Sequence, residues 1–580
     1  MIMKILTFTS KRSVLCCLLL AAILLPAALP AQTFEEAQRQ AQQVIEASRH
    51  KKNEAFEAYR NQRMAEFNAY RDRKNAEMAE YIRRAWIRMK GNEPTPKPVP
   101  QEKEAPPVVM PDNTPEVPVQ DKEIPVEIVP EPEPQSAPTP IAAPEPQPSP
   151  APSPLTPNQP PTPDIPHPAS LPDVPQPEPQ PAPDVVPDSP QPETLPLAPV
   201  VPQEPVAPQT HPTVEFVFYG TSCQVRFDAQ NKPAMSDASE ESVAQMWETL
   251  CNDACIPLYE DCFRLREELS LCDWAYYQMC GTLARTLYGA DNHREAIVFQ
   301  TVLLLQSGFD VMMGRDDTDR LYLLTASDEQ IFDCVSFALD PDSSTRYYLL
   351  DGSNPDELAM MTGNLPELDK LRLRITQENR FAPRLTQARP LRSQCEPSVA
   401  ASVRVNENLT AFYNNYPQAV VNNDPLTRWQ FYAQVPASRE MIETLYPSML
   451  RATAGKGERE AVESLLHFVQ TAFEYKLDDE VWGGDRPFFA DETLYYPYCD
   501  CEDRSILFSR MVRDLLGLDV VLVYYPGHLA AAVGFNEEVK GDYIVVRGRK
   551  FVICDPTYIP APVGKTMPGM DNAVAKAIIL

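Results

Sequence analysis

Histidine is scarce, with 6 residues in 580, and only His528 follows Cys501. Any imidazole working beside a C-terminal thiol is therefore His528. Positive charge is also short: 52 Lys and Arg face 81 Asp and Glu, for a formal net charge of -29. That balance excludes a nucleic-acid partner, which needs clustered cations. Aromatic residues are missing from 91–212, so that stretch has nothing with which to build a core. After the first 31 residues there is no apolar run long enough to cross a bilayer, which excludes a later transmembrane segment.

What is present divides into segments. Residues 1–31 have the pattern of a secretory signal: Lys4, Lys11 and Arg12 precede an apolar run from Val14 to Leu25, and small residues lead to Ala31. Cleavage is expected before Gln32, giving a soluble protein that is secreted or held in the periplasm or cell envelope. Removing Cys16 and Cys17 leaves 11 of 13 cysteines, an odd number that favours a free reactive thiol in an oxidising compartment. Residues 32–90 interleave charged and apolar residues as in one long helix. An eleven-residue repeat sets Phe56, Phe67 and Met78 in line with Tyr59, Tyr70 and Tyr81, a nearly straight stripe suited to self-association as a coiled coil. Residues 91–212 hold most of the 63 prolines and are expected to be a disordered linker.

Folded sequence is expected in two stretches, 213–395 and 396–580. In the first, Val214–Tyr219 reads as a strand that Gly220 turns back. Helical patterns follow near 240–250, 262–269 and 274–288. In the second, Arg428–Val435 reads as a strand, and helices are expected near 439–453 and 458–475. The segment from Trp482 to Glu492, with two glycines and several aromatics, suits the rim or lid of a cleft.

Chemistry concentrates between Tyr495 and Tyr558. Asp500 reads as the N-cap of a helix that carries Cys501 in its first turn, shows an apolar face through Ile506, Leu507, Met511, Val512 and Leu515, and stops at Gly517. Unpaired N–H groups and the dipole at a helix start favour a thiolate. His528 opens an apolar strand, and Asp555 closes another. A thiolate needs a proton partner, and a histidine held by a carboxylate supplies one.

The order of cysteine on a helix, then histidine and aspartate on successive strands, resembles the transglutaminase-like superfamily. The Asp500-Cys501-Glu502-Asp503 start is similar to its bacterial cysteine-peptidase branches. The resemblance covers roughly residues 455–565. It implies an α+β, papain-like core, with a cysteine-bearing helix packed on an antiparallel sheet. It also implies roles: Cys501 as nucleophile, His528 as base and Asp555 as orienter, acting on a protein or peptide substrate without a cofactor. The residues are expected to converge at a solvent-open groove. The backbone N–H of Cys501 is the natural oxyanion donor. Hydrolysis is favoured over crosslinking only by the resemblance.

Other readings of the same residues stay open. Glu502 and Asp503 suit a purely structural capping role. Cys499, Cys501, His528 and Cys554 could make a tetrahedral zinc site. Cys499 and Cys554 could form a disulfide that leaves Cys501 free. The whole protein could also be a non-enzymatic scaffold of the cell envelope.

The first folded stretch looks like a second copy. With Gly308 laid over Gly517, Asp291-Asn292 falls on Asp500-Cys501, and Ile297, Phe299, Asp310 and Val311 fall on Ile506, Phe508, Asp519 and Val520. Further on, with the offset shortened by five residues, Tyr347–Asp351 lies over Phe551–Asp555. Asn292 stands where the thiol should be, and Arg320, one residue off that offset, is taken as the counterpart of the base. A degenerate domain of structural or docking use is the expectation.

Overall fold

The computed structural model describes residues 69, 71–84, 86–97, 121–129, 211–340, 343–361, 368–570 and 572–580. The chain divides into two units, residues 1–132 with 212–580 and residues 133–211, and every element below belongs to the first. The expected signal at 1–31 lies outside the described residues, as do most of the expected helix and most of the linker. Among the described residues, no helix is long and apolar enough to cross a membrane.

Residues 71–82 are helical, but the helix does not reach residue 90 as expected. The indole N–H of Trp86 donates to the Ile82 carbonyl at 3.1 Å, and Ile87–Lys90 (β1) is a strand. Two further strands, Lys122–Glu123 (β2) and Glu127–Val129 (β3), lie in the segment expected to be a disordered linker. Both departures have one cause. A sheet edge offers unpaired backbone groups, and pairing with them outweighs local propensity.

The first folded stretch opens with the hairpin Thr213–Phe218 (β4) and Thr221–Arg226 (β5). Four helices follow: Glu240–Leu250 (α1), Ile256–Glu268 (α2), Asp273–Tyr288 (α3) and His293–Gln306 (α4). Then come Val311–Arg315 (β6), Leu321–Ser327 (β7), Ser336–Phe337 (β8), Arg346–Tyr348 (β9) and Glu357–Met360 (β10). These strands form a sheet in the order β1-β10-β6-β7-β9-β8, with α4 packed on β6 and β7.

The second stretch contributes Glu458–Ala472 (α5), Ala490–Tyr495 (α6) and Cys501–Leu516 (α7). Its strands are Asp519–Tyr525 (β11), His528–Gly534 (β12), Asp542–Val546 (β13), Arg549–Cys554 (β14) and Lys576–Ile579 (β15). The sheet order is β2-β13-β14-β12-β11-β15-β3. Only Ile124, Pro125 and Val126 separate β2 from β3, yet these strands occupy opposite ends of that order. Residues 122–129 therefore act as one stave that closes the sheet into a barrel, parallel to β13 at one end and to β15 at the other. Side chains alternate along β11 as strand geometry requires. Val521, Val523 and Tyr525 point into the barrel with Ile124, while Val520 and Leu522 join the larger core with Ile506 and Leu507 of α7.

The α+β class holds, with helices and antiparallel strands segregated along the chain. The expected break at 395/396 is not a break in packing: one buried apolar cluster runs from Phe299 and Leu324 through Phe412 to Phe489 and Ile506. The segment read as a strand from Arg428 instead forms a helix, Arg428–Ala433. All six residues of that helix are buried, and it packs against α7. Aromatic content imitates a strand, and tertiary burial decides otherwise.

Candidate active site

Three residue types named from the sequence are carried to one end of the barrel by chain direction alone. From Cys501, α7 runs away from that end, β11 returns, and β12 leaves again from His528, pairing Tyr525 with His528 across a two-residue turn. Pro526 and Gly527, the latter at φ 79°, make that turn. The antiparallel β14 ends beside the start of β12, with Cys554 opposite Ala531, so Asp555 emerges where His528 begins.

Asp555 is fixed before it meets the imidazole. Its Oδ1 accepts from the backbone N–H of Thr557 at 2.9 Å and of Tyr558 at 3.2 Å. Its Oδ2 lies 2.8 Å from His528 Nε2. The pair is closed off from water, with His528 6% and Asp555 2% exposed. The Tyr525 ring lies nearly parallel to the imidazole, with centroids 6.4 Å apart. With Nε2 engaged, Nδ1 is the nitrogen left to face a reacting group.

Cys501 is the first residue of α7 and is 2% exposed, so the expected solvent-open groove is closed over the sulfur. Its thiol donates to Glu502 Oε2 at 3.2 Å. One turn further, Ser505 Oγ donates to the carbonyl of Leu529 at 2.9 Å, which fixes this end of α7 against the residue after His528. Imidazole and carboxylate are thus joined by a hydrogen bond, and the thiol is delivered to the same end of the sheet.

The start of α7 is held by carboxylates. Asp503 Oδ2 accepts from the Asp500 N–H at 3.2 Å, the return half of a capping box, and its Oδ1 accepts from the Phe488 N–H at 2.8 Å. Asp478 accepts from the Arg486 N–H, and Glu492 Oε2 from the Phe489 N–H at 3.1 Å. The Trp482–Glu492 segment, read as a rim or lid, is thereby pinned onto the first turn of α7. Burial pushes the Asp478 carboxyl well up, with the Glu502 charge adding to it, and Asp503 follows for the same reasons. Burial likewise raises Asp485 against the lowering pull of Arg428, and carries Asp491 and Glu492 up to about 7.

Two residues that sequence reasoning passed over hold the frame. Arg504, fully buried, donates to the carbonyls of Gln470 at 3.1 Å and Phe473 at 2.9 Å, and to Cys499 Sγ at 3.4 Å. Gln470 Nε2 donates to the carbonyls of Asp555 at 2.9 Å, Tyr558 at 2.9 Å and Ala561 at 3.1 Å. Neither stood out in the sequence, because Arg504 is flanked by Glu502, Asp503 and Ser505 and Gln470 by Thr471, polar residues that are buried as well.

Groups able to hold a hard cation among the described residues include Asp478 with Asp485 and Glu502, and Asp478 with Asp500 and Asp503, each set offering oxygens within 4.8 Å. The zinc set read from the sequence does not form. Cys499 instead accepts from Arg504, and Cys554 Sγ donates to the Val552 carbonyl at 3.6 Å. Cys499 and Cys554 are both free thiols, so the disulfide read between them does not form either.

Comparison with protein-family models, with curated proteins and with solved structures finds no match to this chain, and the family resemblance rests on the residues named from its sequence.

Proposed function

We propose that this chain is an exported thiol enzyme of transglutaminase-like type that cleaves amide bonds in a protein or peptide substrate. The observation that carries the reading is the buried His528–Asp555 pair, 2.8 Å apart, at the sheet end to which α7 delivers Cys501. His528 Nδ1 takes the thiol proton, and the sulfur attacks the carbonyl carbon to give a tetrahedral oxyanion. Collapse breaks the C–N bond, the amine leaves with the proton from His528, and a thioester remains. Water, deprotonated by the same imidazole, then releases the acid and restores the thiol. Asp555 holds the ring and its tautomer throughout.

Iodoacetamide labelling of native protein in a Cys499→Ser background tests the reading, because Cys499 and Cys501 share one tryptic peptide. Rapid labelling of Cys501 below neutral pH, slowed in His528→Ala, is the expected result. Labelling of Cys501 no faster than the other buried thiols, and unchanged by His528→Ala, would favour a non-enzymatic platform. The closed burial of the sulfur is the observation on that side.

The first folded stretch fits a duplicated copy that has lost this chemistry. The sequence match sets Val311 over Val520 and Tyr348 over Val552. In one sheet Val311 and Tyr348 both pair with Thr325, and in the other Val520 and Val552 both pair with Val533. The strand order β10-β6-β7-β9-β8 repeats as β15-β11-β12-β14-β13. Asn292 stands at the N-cap position of α4, where the nucleophile would be, and donates to the Tyr288 carbonyl, while Arg320 and Asp351 are exposed at the other two positions.

A further inference from the structure

A cleft of about 860 Å³ lies between the Asp479–Pro487 segment on one side and residues 413–418 with Tyr432 on the other. Its walls are aromatic, with Tyr413, Tyr416, Tyr432, Trp482 and Tyr496 all lining it. Its uncommitted polar atoms include acceptors. Gln418 Oε1 and Asp485 Oδ2 are buried, on residues 7% and 6% exposed, and have no hydrogen-bond partner among the described residues. Arg428 engages only the other oxygen, Asp485 Oδ1, at 3.0 Å.

The two cations that line the cleft already have partners, while Arg428 keeps its Nε without one among the described residues. Arg486 Nη2 donates to Glu492 Oε1 at 3.1 Å and to the Tyr496 hydroxyl at 3.2 Å, with its guanidinium 4.2 Å from the Trp482 ring centroid. Lys97 pairs with Asp333 at 3.6 Å. Behind Asp485 stands Glu502. The two offer oxygens within 4.8 Å, and Glu502 Oε1 is also buried without a partner among the described residues. Its other oxygen takes the Cys501 thiol. Unfilled acceptors, crowded carboxyl groups and ring faces converge on one ligand chemistry, a donor-rich cation.

We propose that this cleft is a specificity subsite for the cationic side chain of a peptide, lysine or arginine, which donates to Asp485 Oδ2 and Gln418 Oε1 against the aromatic walls. Glu502 then links the subsite directly to the sulfur. The assignment as a substrate subsite rests on the thiol reading above; the binding itself does not.

Isothermal titration of the full chain carrying Cys501→Ala tests it with three tripeptides, Ac-Ala-Lys-Ala-NH2, Ac-Ala-Arg-Ala-NH2 and Ac-Ala-norleucine-Ala-NH2. The Lys or Arg peptide is expected to bind at least about tenfold more tightly than the norleucine peptide, a discrimination typical of one desolvated charged contact. Asp485→Asn should abolish the difference. Because that change frees Arg428, Gln418→Met serves as a second variant with the same expectation, and both are checked by thermal melting. Equal affinity for all three peptides overturns the proposal. So does stoichiometric binding of calcium chloride, lost in Asp485→Asn, without peptide discrimination, which makes the acid group a metal site. Discrimination that persists while Cys501 proves unreactive supports the subsite and sinks the thiol chemistry alone.

Discussion

A carboxylate that accepts two backbone N–H bonds with one oxygen and an imidazole with the other has a single job. Asp555 is such a group. Asp555→Asn can keep the two backbone bonds on its oxygen, but its amide nitrogen then faces His528 Nε2. The ring must accept there and carry its proton on Nδ1, the nitrogen that the proposed mechanism needs as base. Labelling of Cys501 at neutral pH should slow by roughly 10²-fold or more, within the range for loss of an oriented base. A change of less than about threefold, with the melting temperature unmoved, would show that the pair is structural.

At the scale of elements, α7 is the hub, and Arg504 is what ties it to its neighbours. Its guanidinium joins the end of α5, through Gln470 and Phe473, to the first turn of α7. Arg504→Met fills the space but leaves these carbonyls buried without a donor. The expected loss is about 3–5 kcal/mol, the range for breaking a buried charged contact from one side. Urea denaturation checks it: the midpoint should fall with the slope unchanged. Unchanged stability would mean that water satisfies the carbonyls. The same pinning explains why Trp482–Glu492 lies against the start of α7, since Asp503 accepts from the Phe488 backbone.

Across the whole molecule, the excess of acid is more than a solubilising shell, because part of it is buried at the start of α7. Asp491 and Glu492 are pushed up to about 7 by burial, and Asp478, Asp485 and Asp503 are raised as well. In the unfolded chain such carboxyls titrate near about 4, so the folded state holds their protons more tightly. Their contribution to stability is complete below about pH 4 and is lost as pH rises through about 7. The melting temperature should therefore fall between about pH 5 and 8, and Asp478→Asn should flatten the fall. A melting temperature that climbs over the same range would contradict the assignment.

Much was legible in the sequence because local physics settled it. The α7 start at Asp500 and its stop at Gly517, which adopts φ 66°, follow from capping and backbone freedom. The hairpin around Gly220 and the helices α1 and α3 follow from periodicity within a few residues. His528 could be named because it is the one imidazole after Cys501, and its pairing with Asp555 followed from the family resemblance. The rest needed distant partners. Ile87–Lys90 and residues 122–129 carry no strand signal that survives their charged and proline-rich surroundings, and only open edges in two sheets made strands of them. The buried arginine, the closed cover over the sulfur and the aromatic cleft likewise arise where segments far apart in the chain meet. Sequence by itself determined which groups could do chemistry and at which element ends they stand, since caps, turns and periodicity act over a few residues. Tertiary structure alone decided which of those groups touch and which are sealed from water, because contact and burial depend on segments hundreds of residues apart.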